Sequence, residues 1–161
     1  MQSVIGIFLF SFFNFFGLMQ NNEYPILSGR THERVLQRGE TGIWFKKSYN
    51  QYTPDAGAMD VLSKKTEGLR FLVFAGSWCS DTHQWLPAFY RVTDGVGISR
   101  RNIDLYFADR NKVTPEGLEN QYNIQRLPTF IILRGELEIG RITETPSSGS
   151  IERDLLAILG V

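Results

Sequence analysis

"LRFLVFAGSWCSDTHQWLP", residues 69–87, contains the only cysteine of a 161-residue chain. Its first part, residues 69–76, is an apolar run rich in Phe, Val and Leu and bounded by Gly76. At that length a buried central strand is expected rather than a helix. From Cys79 onward the pattern turns helical, with Trp85, Leu86, Phe89, Tyr90 and Val92 supplying a buried side. The stretch therefore reads strand, turn, helix, with the lone thiol at the mouth of the helix.

Working outward, "YTPDAGAMDVLSKKTEG" (52–68) reads as a helix that Thr53 can cap, with Pro54 at the first helical position and Asp55 complementing the positive end. "NIDLYFAD" (102–109) alternates and predicts a second strand, and "TPEGLENQYN" predicts a short helix from Thr114. "PTFIILRG" (128–135) and "ELEIGRITE" (136–144) read as an antiparallel hairpin turning at Arg134-Gly135. Ser150 caps "IERDLLAIL", whose Ile151, Leu155, Leu156 and Leu159 form one apolar stripe. A βαβ unit followed by a hairpin and a closing helix predicts an α/β fold, a mixed central β-sheet flanked by helices on both faces.

Three segments follow from this pass. Residues 1–20 hold the apolar run "VIGIFLFSFFNFFGLM" (4–19), expected as a signal peptide or N-terminal membrane anchor, although the n-region lacks Lys and Arg. Residues 21–51 have no clean periodicity and read as an extension with one short strand; residues 52–161 form the domain. Export to the periplasm, or anchorage facing it, is the expected setting, with the cytoplasm as the alternative. In an oxidising space an unpaired cysteine is itself a flag.

The bulk composition removes other classes. Seventeen basic and seventeen acidic residues cancel, and no basic stripe is present to pair with phosphates, which disfavours nucleic acid as a partner. One cysteine excludes an internal disulfide framework and a cysteine-cluster zinc module. "GVGISR" (95–100) lacks a third glycine and follows a helix, so it is a loop rather than a dinucleotide cradle. No motif asks for a cofactor. Membrane contact is expected only through the N-terminal segment, and the protein is expected to act as a monomer.

Residues 52–161 resemble the thioredoxin-like superfamily in three places. Trp78-Cys79 follows an apolar strand and opens a helix; Pro87 stands eight residues after the cysteine; and "YNIQRLPTFIIL" looks like the family's Tyr-x-Ile-x-x-aliphatic-Pro-Thr segment. The shorter stretches "GSWCSDT", "LPAFY", "ADRNK" and "GRITETP" are similar to extracytoplasmic thioredoxin-like proteins of Bacteroidetes-type bacteria. The resemblance implies a thioredoxin-like fold in which Pro128 is cis and faces Cys79. It also implies that the Leu127 backbone pairs with an extended substrate segment, as in strand addition, and that Trp78 forms an apolar wall beside the thiol.

The family's Cys-x-x-Cys is here Cys79-Ser-Asp-Thr82, and the buried acid six residues before the cysteine is Val73. Thr82 cannot attack a mixed disulfide, although its hydroxyl could hydrogen-bond the Cys79 thiolate. Ordinary dithiol reductase turnover is therefore not expected. A helix start favours thiolate over thiol, and thiolate is the species that attacks disulfides.

Three functions stay open. One is a monothiol redox protein whose mixed disulfides, with protein or small-molecule thiols, are resolved by an external thiol. Another is a redox-inactive binding module keeping the cleft of Trp78 and Pro128. The third is metal binding by Cys79 and His83, with Asp81 and Asp109 nearby, for which two soft ligands are few. His83 could instead act on the thiolate through its own charge near neutral pH. Asp109 and Arg110 are expected to tie a loop by ion pairing, and His32 is given no role.

Overall fold

The computed structural model describes residues 24–161. The expected signal peptide or anchor, residues 1–20, lies outside them; among the described residues no helix is long and apolar enough to cross a membrane.

The strand expected at 69–76 is β2, Leu69–Ala75. It lies at the centre of a sheet that also contains β1 (Gly29–Thr31), β3 (Ile103–Phe107), β4 (Thr129–Arg134) and β5 (Leu137–Thr143), in the order β1-β3-β2-β4-β5. β2 and β3 run parallel, with Val73 opposite Leu105, while β4 pairs antiparallel to β2 and to β5. The short β1 pairs antiparallel with β3. The β4–β5 hairpin turns through Gly135 at a φ of +63°, a left-handed conformation that glycine adopts without strain.

Alternation along β2 sends side chains to two apolar layers. Phe71, Val73 and Ala75 enter the larger one, beneath helices α1 (Gly39–Gln51), α2 (Ala56–Ser63), α3 (Ser80–Gly95) and α5 (Ile151–Ile158). Phe89 of α3 meets Phe71 edge-on at 5.2 Å and stacks on Phe130 at 4.8 Å. Such pairs add about 0.5–1.5 kcal/mol each beyond the area they bury. Leu72 and Phe74 point the other way, into a smaller layer closed by the short α4 (Leu118–Gln121) and by Leu127, Ile131 and Leu133. The expected α/β architecture, a mixed sheet with helices on both faces, is thus the observed one.

Three expectations need correction. Residues 21–51, expected as an extension with one short strand, hold that strand and also helical structure. Described from Tyr24, they contain β1, a 3-10 turn over Glu33–Gln37 and the thirteen-residue α1, and Leu36, Trp44 and Phe45 are buried in the larger core. Packing produces this helix: its N-cap, Arg38, makes no side-chain cap bond, and Gly39 and Gly42 weaken its propensity. Gly42 is required, because a Cβ there would stand 2.7 Å from the Gln37 carbonyl carbon. The helix expected from Thr53 starts later, at Ala56. Asp55 is its cap, its carboxylate accepting the Ala58 N–H at 2.8 Å and pairing with Arg153 at 2.9 Å.

The helix expected from Thr114 begins only at Leu118, because Gly117 sits in a left-handed conformation; the Thr114 hydroxyl accepts the Leu118 N–H at 3.1 Å. Ser150 does cap α5, accepting the Arg153 N–H.

Candidate active site

Cys79 is the N-cap residue of α3, immediately beyond the carboxyl end of β2. Its extended backbone (φ −93°, ψ 126°) lets the carbonyl accept the His83 N–H at 3.1 Å, while its own N–H closes a tight turn onto Gly76 O at 2.9 Å. The helix start therefore fixes the sulfur's position through bonds that use no side chain. The thiol is half-buried.

Its partner comes from across the sheet. The Leu127–Pro128 peptide is cis, and the Cys79 Sγ–H donates to the Leu127 carbonyl at 3.5 Å. The structure thus brings Cys79, Leu127 and Pro128 together, although 48 residues separate the sulfur from its acceptor. Leu127 is buried in the smaller core, with its carbonyl turned to the sulfur.

Trp78 flanks the thiol and is held from both sides. Its Nε1–H donates to the Ala108 carbonyl at 3.2 Å, and the Arg110 guanidinium lies over the ring at 5.8 Å. Gly76 makes room for it, since a Cβ there would approach the indole to 3.0 Å. Asp109 does tie the adjoining loop, but through backbone N–H groups of Asn111 (2.8 Å) and Val113 (3.0 Å), which its carboxylate accepts.

Thr82 is fully buried, and its hydroxyl accepts the Gly76 N–H at 3.1 Å. The hydrogen bond that the structure gives it is therefore to the turn before the cysteine. Val73 is also fully buried and supplies no titratable group beneath the site.

His83 differs most from expectation. It is half-buried, with its imidazole stacked on Trp44 at 4.2 Å and meeting Tyr24 edge-on at 4.6 Å. Its Nε2 lies 2.6 Å from Ser77 O; a carbonyl only accepts, so Nε2 carries the proton. Burial lowers its pKa from the ordinary 6.5, against a smaller opposing effect of the Ser77 bond. Burial thus favours the neutral ring over the imidazolium. Among the described residues no group of three or more His, Cys, Asp or Glu side chains could hold a metal ion.

The residues that sequence reasoning missed are those that support this loop. Ser77 is fully buried; its hydroxyl accepts the Leu27 N–H at 2.9 Å and donates to Pro25 O at 2.7 Å. The segment Tyr24–Leu27 thereby straps the turn two residues before the cysteine. Only the serine's position in the quoted motif hinted at it; its partners lie some fifty residues earlier and carry no local signal.

A half-buried thiol at a helix start, facing a cis proline over a mixed five-stranded sheet, defines a thioredoxin-like protein with a single site cysteine. The profile of a family described as thioredoxin matches residues 36–150, and the chain belongs to that family. Among solved structures, an HIV epitope scaffold is 18% identical with a TM-score of 0.57, covering 82% of this chain and 91% of its own. A protein of unknown function from Pseudomonas aeruginosa is 17% identical with a TM-score of 0.55, covering 82% and 90%. Reduced thioredoxin 2 from Pseudomonas aeruginosa is 19% identical with a TM-score of 0.41, covering 68% and 94%. At these identities the likeness of the first two is one of fold. No curated protein matches the chain.

Proposed function

We propose that the protein is a monothiol thiol–disulfide exchange protein in which Cys79 forms mixed disulfides that an external thiol resolves. The single observation that carries this reading is the 3.5 Å contact between the Cys79 sulfur and the Leu127 carbonyl. While protonated, the thiol occupies that acceptor. On ionisation it loses its donor, and the Leu127 carbonyl becomes available to a backbone N–H of an incoming extended segment.

The exchange then balances as two displacements. The Cys79 thiolate attacks one sulfur of a partner disulfide; the S–S bond breaks, a Cys79–partner disulfide forms, and the second partner sulfur leaves as thiolate. A small-molecule or protein thiol, as thiolate, attacks the partner's sulfur in that mixed disulfide and expels Cys79 as thiolate. The partner's other sulfur retains the electron pair from the first step. The external thiol supplies the resolving sulfur that Thr82, bound to Gly76 N–H and lacking sulfur, does not.

A disulfide such as oxidised glutathione should load Cys79 to one equivalent, and the adduct should persist until a thiol is added. Intact-mass spectrometry follows both steps, with Cys79→Ser as the blank. Failure of the folded protein to load, while the unfolded chain loads readily, overturns the reading and leaves the binding-module alternative. Export is the setting in which a lone reachable thiol meets disulfides, and the apolar residues 4–19 support it. Cell fractionation that leaves the chain in the cytoplasm would remove that setting.

A further inference from the structure

His83 holds the turn of the cysteine at two points. Its backbone N–H donates to Cys79 O at 3.1 Å, and its imidazole Nε2–H donates to Ser77 O at 2.6 Å. Ser77, Trp78 and Cys79 are thus bracketed by the ring and the backbone of one residue. Any residue at position 83 would supply the backbone bond of the helix. Only a side chain with a donor at this reach supplies the second.

The ring is itself fixed by elements far away in sequence. Trp44 of α1 stacks on it at 4.2 Å, and Tyr24 meets it edge-on at 4.6 Å. Tyr24 leads into the segment whose Pro25 carbonyl and Leu27 N–H bind the Ser77 hydroxyl at 2.7 and 2.9 Å. Ser77 is fully buried, with its carbonyl on His83 and its hydroxyl on this strap. The same turn carries the sulfur that bonds Leu127 O at 3.5 Å.

We propose that His83 is a positioning residue for the exchange reaction, its Nε2–H fixing the turn that directs the Cys79 sulfur to the Leu127 carbonyl. This deepens the exchange reading above and rests on it. The ring acts through its donor, and the Tyr24–Leu27 strap acts through the ring and Ser77. A sulfur held beside the carbonyl meets a docked disulfide in one geometry. In a loosened turn the sulfur leaves the carbonyl, becoming more accessible to a small reagent and less well aligned with a docked one.

Two rate constants of the full chain test this. One is alkylation of Cys79 by iodoacetamide, which needs no docking; the other is mixed-disulfide formation with an extended peptide disulfide-linked to its own copy. His83→Phe keeps a ring on Trp44 and removes the donor. Alkylation should rise and peptide exchange fall, each by about two- to tenfold, the scale of one hydrogen bond. His83→Gln, whose amide N–H reaches the same carbonyl, should bring both rates back toward wild type. Tyr24→Ala should move both rates in the directions of His83→Phe, whereas Tyr24→Phe should not. Lower stability alone would speed alkylation and leave exchange by the folded protein unchanged, so the opposed shift is the signature. Unchanged rates in His83→Phe, both rates moving the same way, or His83→Gln matching His83→Phe overturns the proposal. Should His83→Phe fail to fold, Tyr24→Ala rates equal to those of Tyr24→Phe overturn it. No peptide exchange by the wild type defeats the exchange reading itself, while the alkylation rates still decide whether the ring holds the turn.

Discussion

At the Cys79 end of the sheet the bonds run to neutral partners: Leu127 O, Gly76 N–H, Pro25 O and Ser77 O, with Trp44 and Tyr24 packed around His83. The far end carries ion pairs, Arg30 with Asp104, Arg70 with Asp104, and Arg100 with Asp94 and Glu33. Both ends belong to the same strands, four to six residues apart, since β2 and β3 span only Leu69–Ala75 and Ile103–Phe107. The contrast is physical. The thiol is held by backbone groups and rings whose geometry does not change with salt. The charged end is solvated, so its pairs are screened and individually weak.

The comparison breaks most readily at Trp44. Trp44→Ala removes a buried indole and the plate on which His83 stacks, with an expected cost of about 3–5 kcal/mol in denaturant melts. It should also loosen the turn at Ser77, seen as faster Cys79 alkylation. A loss below about 1 kcal/mol would show that α1 is not part of the core.

Next comes Thr82→Val, which keeps the shape and leaves the buried Gly76 N–H without an acceptor, at about 1–3 kcal/mol. Loading of Cys79 by oxidised glutathione should survive at a similar rate if the hydroxyl serves the turn. A large loss of rate with little loss of stability would assign it to the thiolate instead.

His83 sharpens the contrast through pH. Its folded pKa lies below the unfolded 6.5, so the unfolded chain binds the proton more tightly. Stability attributable to His83 is whole above that value and falls as pH drops below it. Urea melts across that range should show the decline, and His83→Gln should flatten it; a wild-type curve as flat as the variant's would contradict the burial of the ring. The smallest effect is expected at the charged end. Asp104→Asn cuts two exposed arginine pairs and should cost about 0–1 kcal/mol, shrinking further in high salt.

Much of this was legible because the signals are local. The continuous apolar run of β2, the helical spacing after Cys79, the Gly135 turn and the Ser150 cap each lie within a dozen residues and matched the observed elements. α1 was not legible: "GETGIWFKKSYNQ" has two glycines, no capping side chain and a mixed pattern, so its helix exists only against α3. His83 misled for a related reason. A histidine at the first turn of a helix looks solvated until Trp44 and Tyr24, both far upstream, arrive to cover it.

From residue order alone came the strand, the thiol at the helix mouth and the absence of a second cysteine, because backbone propensity and composition are properties of neighbours along the chain. Tertiary structure alone decided which groups the sulfur, Thr82 and His83 touch. Those contacts join residues up to about sixty positions apart. Packing of the sheet pays the entropy of closing such loops, and nothing in the local pattern records it.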